Sequence, residues 1–376
     1  MYDLRRWLDL MGWVVLAWIV SGCHLVPPRV QVEQLAFGHP EEILKGAGGV
    51  EGYWALADRR VFAVMAFLNA AGYDEEVPGR QMHPIRLKVR WKVAENLAAH
   101  PEQLRAWRKY YTQHFLGSWK YANFALSLNA DYPFRRIRPA RELHETWIAA
   151  VLADFPDVLN EFWLTAKLDQ VWAEVRPDYL AEVRRYSPQR MADQMVFLWR
   201  YLRLPRQDDY IVIEVPNPLQ RSASASAHQF ERYFYSVDGP ASNGGGLNVH
   251  EYLHTFVNGL FKANYAAQRQ KLRQYYDAGK DAPISRTHGA PVYWCIECLV
   301  HALDYRITVQ GLSDPAARKR AEADVEALTR GGYTLLKPLY QALADYEQSG
   351  QPFDQYLPTM LENLPDCSPH TPDQSR

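Results

Sequence analysis

Apolar residues recur at three-and-four spacing through much of the first half of the chain, the mark of helices with one buried face. The stretch DRRVFAVMAFLNAAG opens on a capping Asp58 and stops at Gly72. Residues 85–100, 142–155 and 158–175 carry the same period, so 53–204 reads as a helical region. The texture changes near 205. DYIVIEVPNPL, from Asp209, has a β-branched centre and a proline stop, and ERYFYSVDGP, from Glu231, alternates before Asp-Gly-Pro. Both read as strands, able to pair, with SASASA from Ser222 as a small-residue loop between them. After NGGG at 243–246 a helix opens near Leu247, with an interruption expected at Gly259 and a second helix from Phe261. A loop at 278–291, a helix over 292–310 and further helices over 314–348 follow. Residues 351–376, rich in Pro, Ser and Asp, read as a loose tail. The fold class expected is α+β and mostly helical, with a catalytic-type region over 205–350.

The first residues read as an address. Arg5 and Arg6 precede an apolar run, Met11 to Val20, too short to span a bilayer. Val20-Ser21-Gly22-Cys23 then resembles the lipobox of bacterial lipoproteins. That resemblance implies a signal peptide over 1–22, a lipid on Cys23, a tether over 23–52 and, with His24 following, an outer-membrane anchor facing the periplasm. With Cys23 lipidated, Cys295, Cys298 and Cys367 remain. Cys295-Ile-Glu-Cys298 has no second CxxC to complete a zinc site, and in an oxidising compartment one of the pair could bridge to Cys367.

Composition narrows the function. Lys+Arg total 42 against 43 Asp+Glu, a net charge of −1, and 48% of residues are hydrophobic. This excludes intrinsic disorder and argues against a surface built for nucleic-acid phosphates. Aromatics, at 13%, suit a thick helical core.

The chemistry concentrates in His250-Glu251-Tyr252-Leu253-His254, an HExxH. On a helix the two histidines share one face and can hold one metal ion, while Glu251 can take a proton from a water at that ion. A catalytic zinc needs a third protein ligand. The extended motif with a third histidine shortly after His254 is absent, so the ligand must come from a later element. On the helix YWCIECLVHALDYR, Glu297, His301 and Asp304 fall on one face. Glu297 sits in an apolar run, where a carboxylate needs a cation, and is the expected third ligand. His301 is the runner-up ligand or a core histidine. Asp304 can pair with Arg306 or orient a ligand histidine. Tyr293, His288 and, more weakly, Tyr305 are the candidates to stabilise an oxyanion.

A metal helix followed by a helix with a glutamate ligand resembles the gluzincin branch of the zincins. More narrowly, VHEYLHTFVN and YWCIECLVHAL resemble the bacterial, often lipoprotein, family called domain of unknown function 4932, which reads HEFxHxFVN and then an NEHLVRA-like helix. The match carries His250, Glu251, His254, Asn258 and Glu297, with His301 standing where that family has arginine, and spans about 53–312. It implies a zincin-like fold with a short sheet before the metal helix, an edge strand near 230–237 lining the cleft, a bound Zn2+, and a zinc metallopeptidase acting on a peptide or protein substrate in the cell envelope. The only membrane contact expected is the lipid anchor, and no nucleic-acid partner is expected. The alternatives are an inactive zincin-fold lipoprotein with a structural or binding role, and a zinc amidase acting on cell-wall peptides.

Overall fold

A computed structural model of the chain describes residues 43–44, 52–73, 82–143, 145–204, 211–221, 224–231, 233–240, 245–287, 290–310 and 315–367. All lie in a compact unit spanning Ala36–Arg376; the signal-like segment and Cys23 lie outside the described residues. The strands are β1 (Ile43–Leu44), β2 (Tyr53–Leu56), β3 (Ile211–Pro216), β4 (Ala225–Phe230) and β5 (Tyr233–Asp238). The α-helices before β3 are α1 (Arg59–Ala71), α2 (Pro84–Leu97), α3 (Pro101–Gln113), α4 (Ser118–Leu126), α5 (Ile148–Val151), α6 (Phe155–Thr165), α7 (Leu168–Val183) and α8 (Pro188–Leu202). Those after β5 are α9 (Val249–Tyr265), α10 (Arg269–Gly279), α11 (Pro291–Gln310), α12 (Pro315–Arg330), α13 (Leu336–Ser349) and α14 (Phe353–Glu362). The class is α+β and mostly helical. No helix among the described residues is long and apolar enough to cross a membrane.

The helical region and the later region share one sheet. Its strand order is β1-β2-β3-β5-β4, with β2–β3 and β3–β5 parallel and both edge pairings antiparallel. Every residue of β3 and β5 is buried, because helices cover both faces, which is why the run IVIEV is β-branched at every position but Glu214. Alternation sorts the side chains. Val212 and Phe234 join the core formed by α8, α9, α11 and α13. Tyr235 and His228 face the other way, toward Arg60 of α1 and Asn123 of α4.

Several expectations are corrected here. The strand over 233–238 is interior, and the edge strand is β4, whose first half comes from the small-residue stretch expected to be a loop; its pairing with β5, from Ala225↔Asp238 to Phe230↔Tyr233, decides the matter. The expected helix over 158–175 breaks at Lys167, whose φ of 50° ends α6 and starts α7. Of 142–155, only the short α5 and the first residue of α6 are α-helical. Helix α9 runs unbroken through Gly259, which lies on the exposed side. The tail is not loose over 353–362: Phe353, Leu357, Met360 and Leu361 are buried, and α14 packs on α9 and α13. Cys295, Cys298 and Cys367 are free thiols, the first two fully buried in α11, where burial pushes Cys295 up to about 12.

Candidate metal centre

The metal-helix candidate, α9, starts where the sheet holds it. Asn248 caps the helix, its side chain accepting from the Glu251 amide at 3.4 Å. The Asn248 amide donates to Glu214 Oε1 at 3.0 Å, and its side chain donates to Asp238 Oδ1 at 2.9 Å. Ser236 Oγ also donates to Asp238, at 2.7 Å, and the Tyr186 hydroxyl at 3.2 Å. Glu214 is wholly buried, and burial, then the neighbouring Asp238 charge, raise its carboxyl well above the ordinary range. The turn before the cap needs glycine: Gly245 has φ +84°, and a Cβ there would meet the Arg185 carbonyl at 2.2 Å.

The second contributor, α11, packs along α9. From Trp294 to Leu303 it is fully buried except at Glu297 and His301, one turn apart, which open onto a cleft with Asp304 beyond them. Glu297 is therefore not sealed in the core; its side chain is 17% exposed.

The two helices bring the HExxH histidines onto the Glu297 carboxylate. His250 Nε2 lies 3.2 Å from Oε1 and His254 Nε2 3.3 Å from Oε2. His301 Nε2 lies 3.5 Å from Oε1. Among the described residues, the donor atoms that lie within 4.8 Å of one another belong to His250, Glu297 and His301; His254, expected as a ligand, meets the carboxylate at its other oxygen and is not in that group. The other ring nitrogens have polar neighbours behind them. His254 Nδ1 is 3.1 Å from Asn258 Oδ1, and His250 Nδ1 is 3.8 Å from Asp304 Oδ2. The Asn258 carbonyl fixes the His254 tautomer that leaves Nε2 free to ligate, while Asp304 stands beyond hydrogen-bond reach of His250. Of the two roles expected of Asp304, pairing with Arg306 is not seen, since Arg306 pairs with Glu347 at 2.7 Å; Asp304 instead lies 3.8 Å from His250 Nδ1, a charge neighbour rather than a hydrogen-bond partner.

Charge in the cluster is strongly coupled. Burial lowers His250, but the Glu297 carboxylate more than offsets it, aided by Glu251 and Asp304, and brings it to about 9. His254 rises for the same reasons. Burial raises Glu297, yet hydrogen bonds from His250 and His254 hold its carboxyl well below the usual range. Burial raises Glu251 despite both imidazoles. A carboxylate ringed by imidazoles requires positive charge among them, supplied by protons or by a metal ion. The spacing admits either: two donors each about 2.0–2.1 Å from one tetrahedral ion stand about 3.3–3.4 Å apart, and the observed 3.2 and 3.3 Å are also within hydrogen-bond reach.

Glu251 points from the same turn toward the sheet edge, and its Oε2 accepts the Ala227 amide at 3.0 Å. On that face of β4, Ala225 and Ala227 are half-buried and Gln229 is exposed, and among the described residues no further strand pairs with β4. Tyr293 is 40% exposed, with the Lys262 ammonium 4.7 Å from its ring centroid. His288 lies outside the described residues. One neighbour carried no sequence signal: Tyr333, whose ring centroid is 5.4 Å from that of His301 and whose hydroxyl is raised by burial and by the Glu297 charge. Gly332, with φ +124° and no room for a Cβ beside Ala282, brings it there.

Compared with protein-family models, curated proteins and solved structures, the chain matches none.

Proposed function

We propose that the protein is a zinc-dependent metallopeptidase of the gluzincin type, lipid-anchored through Cys23 in a bacterial cell envelope. The observation that carries this reading is the convergence of His250 and His254 on Glu297, with Asn258 and Asp304 behind the two rings. His250, His254 and Glu297 hold the ion. Zinc, when bound, supplies Lewis acidity toward water and a peptide carbonyl. Glu251 takes the proton from the attacking water and delivers it to the leaving amine. The open edge of β4 receives an extended peptide, so that backbone hydrogen bonds place the scissile bond beside Glu251. Tyr293 and, more weakly, Tyr305, whose ring stacks on that of His301, are the described candidates to steady the oxyanion.

Digestion of a peptide library tests this. The zinc-loaded protein cleaves, a chelator abolishes cleavage, and added zinc restores it. Cleavage indifferent to chelation contradicts the mechanism. Metal binding with no cleavage of any peptide favours the inactive lipoprotein. A lipid on Cys23 is checked by mass spectrometry of the mature N-terminus; an unmodified start elsewhere removes the anchor.

A further inference from the structure

Two packed helices each bring a pair of side chains one turn apart to the site of the Glu297 carboxylate: His250 and His301 stand at Oε1, their donor atoms and that of Glu297 all within 4.8 Å of one another, and His254 stands at Oε2. The sequence motif accounts for three of these. The fourth, His301, stands no farther off in kind. Its Nε2 is 3.5 Å from Glu297 Oε1, the oxygen that His250 approaches at 3.2 Å. The His250 and His301 ring centroids are 4.6 Å apart. The ring is steadied by Tyr305, stacked at 6.2 Å, and by Tyr333 at 5.4 Å. A separation of 3.5 Å is too long for a strong imidazolium–carboxylate hydrogen bond but close to the spacing of two donors on one ion.

We propose that His301 is a fourth protein donor to the metal centre, a reading that rests on the cluster being a metal site. A peptidase metal keeps one position open, whereas four protein donors make a closed site. His301 therefore masks the resting centre, and the site opens to substrate only when this imidazole withdraws. Glu297 and the α9 histidines keep the ion during that withdrawal, so masking costs reactivity but not occupancy. This device regulates the site through a residue that takes no part in proton transfer.

The test uses the full chain loaded with cobalt(II). X-ray absorption counts the imidazoles on the metal, and visible spectra report access of added azide. Three imidazoles in the wild type, two in His301→Ala, and an azide-induced spectral shift only in the variant support the proposal. Two imidazoles in the wild type, with an equal azide response in both proteins, overturn it. The wild-type count alone decides the matter if His301→Ala fails to fold. Failure of the wild type to bind cobalt or zinc at all sinks the metal reading itself, a different outcome from binding with two imidazoles.

Discussion

Glu214 accepts the backbone amide of Asn248 at 3.0 Å, the hydrogen bond that a glutamate three residues into a helix ordinarily takes for itself. The glutamate at that place in α9 is Glu251. Because a buried residue of β3 satisfies the cap, the Glu251 carboxylate is released to face the cleft and the Ala227 amide. The placement of Glu251 thus depends on a residue far away in sequence.

The Glu214 carboxyl gives a pH signature. Its folded-state pKa is raised above 4.5, so its contribution to stability is full below about 4.5 and is lost as pH climbs toward the folded-state value. Glu214→Gln keeps both an acceptor for Asn248 and a donor for Asp238. The melting temperature of the variant should gain on wild type from about pH 4.5 upward and match it below. Parallel curves at every pH contradict the assignment. Glu214→Ala, which strands the Asn248 amide, should cost about 1–3 kcal/mol.

Glu251→Gln should retain metal and melting temperature, since the amide oxygen still accepts from Ala227, yet lose turnover by about 10²–10⁴-fold or more. Steady-state kinetics beside metal analysis checks this. Loss of metal in the variant makes Glu251 a ligand or a structural residue.

How far the site was legible follows from where its parts lie along the chain. His250, Glu251 and His254 are contiguous, and helix geometry alone places them. Glu297 was legible as a carboxylate in an apolar run, and Asp304 by its spacing. Glu214, Asp238 and Tyr333 were not, because only the sheet pairing and the Gly332 turn bring them in. Strand β4 was missed because Ser and Ala have little intrinsic strand preference; pairing with β5 imposes it. The periodic Phe353, Leu357 and Leu361 were hidden by Pro352 and Pro358, although the helix accommodates the second proline.

Asn258→Ala should weaken metal binding by about 10–100-fold through loss of the partner that orients His254, with little change in fold. Competition with a zinc-chelating dye measures it. Unchanged affinity shows that His254 needs no such support.

Phe353→Ala should destabilise the protein by about 3–5 kcal/mol, since this ring is fully buried against Tyr346 at 5.3 Å. Urea unfolding reads the change. A cost below about 1 kcal/mol returns the segment to a dispensable tail.

The most direct test of the metal centre is elemental analysis of the purified protein and of His254→Ala and Glu297→Ala, with circular dichroism to confirm folding. The wild-type chain should hold close to one zinc, and both folded variants should lose most of it. A wild type that holds no zinc after incubation with it, or folded variants that hold as much as wild type, contradicts the account.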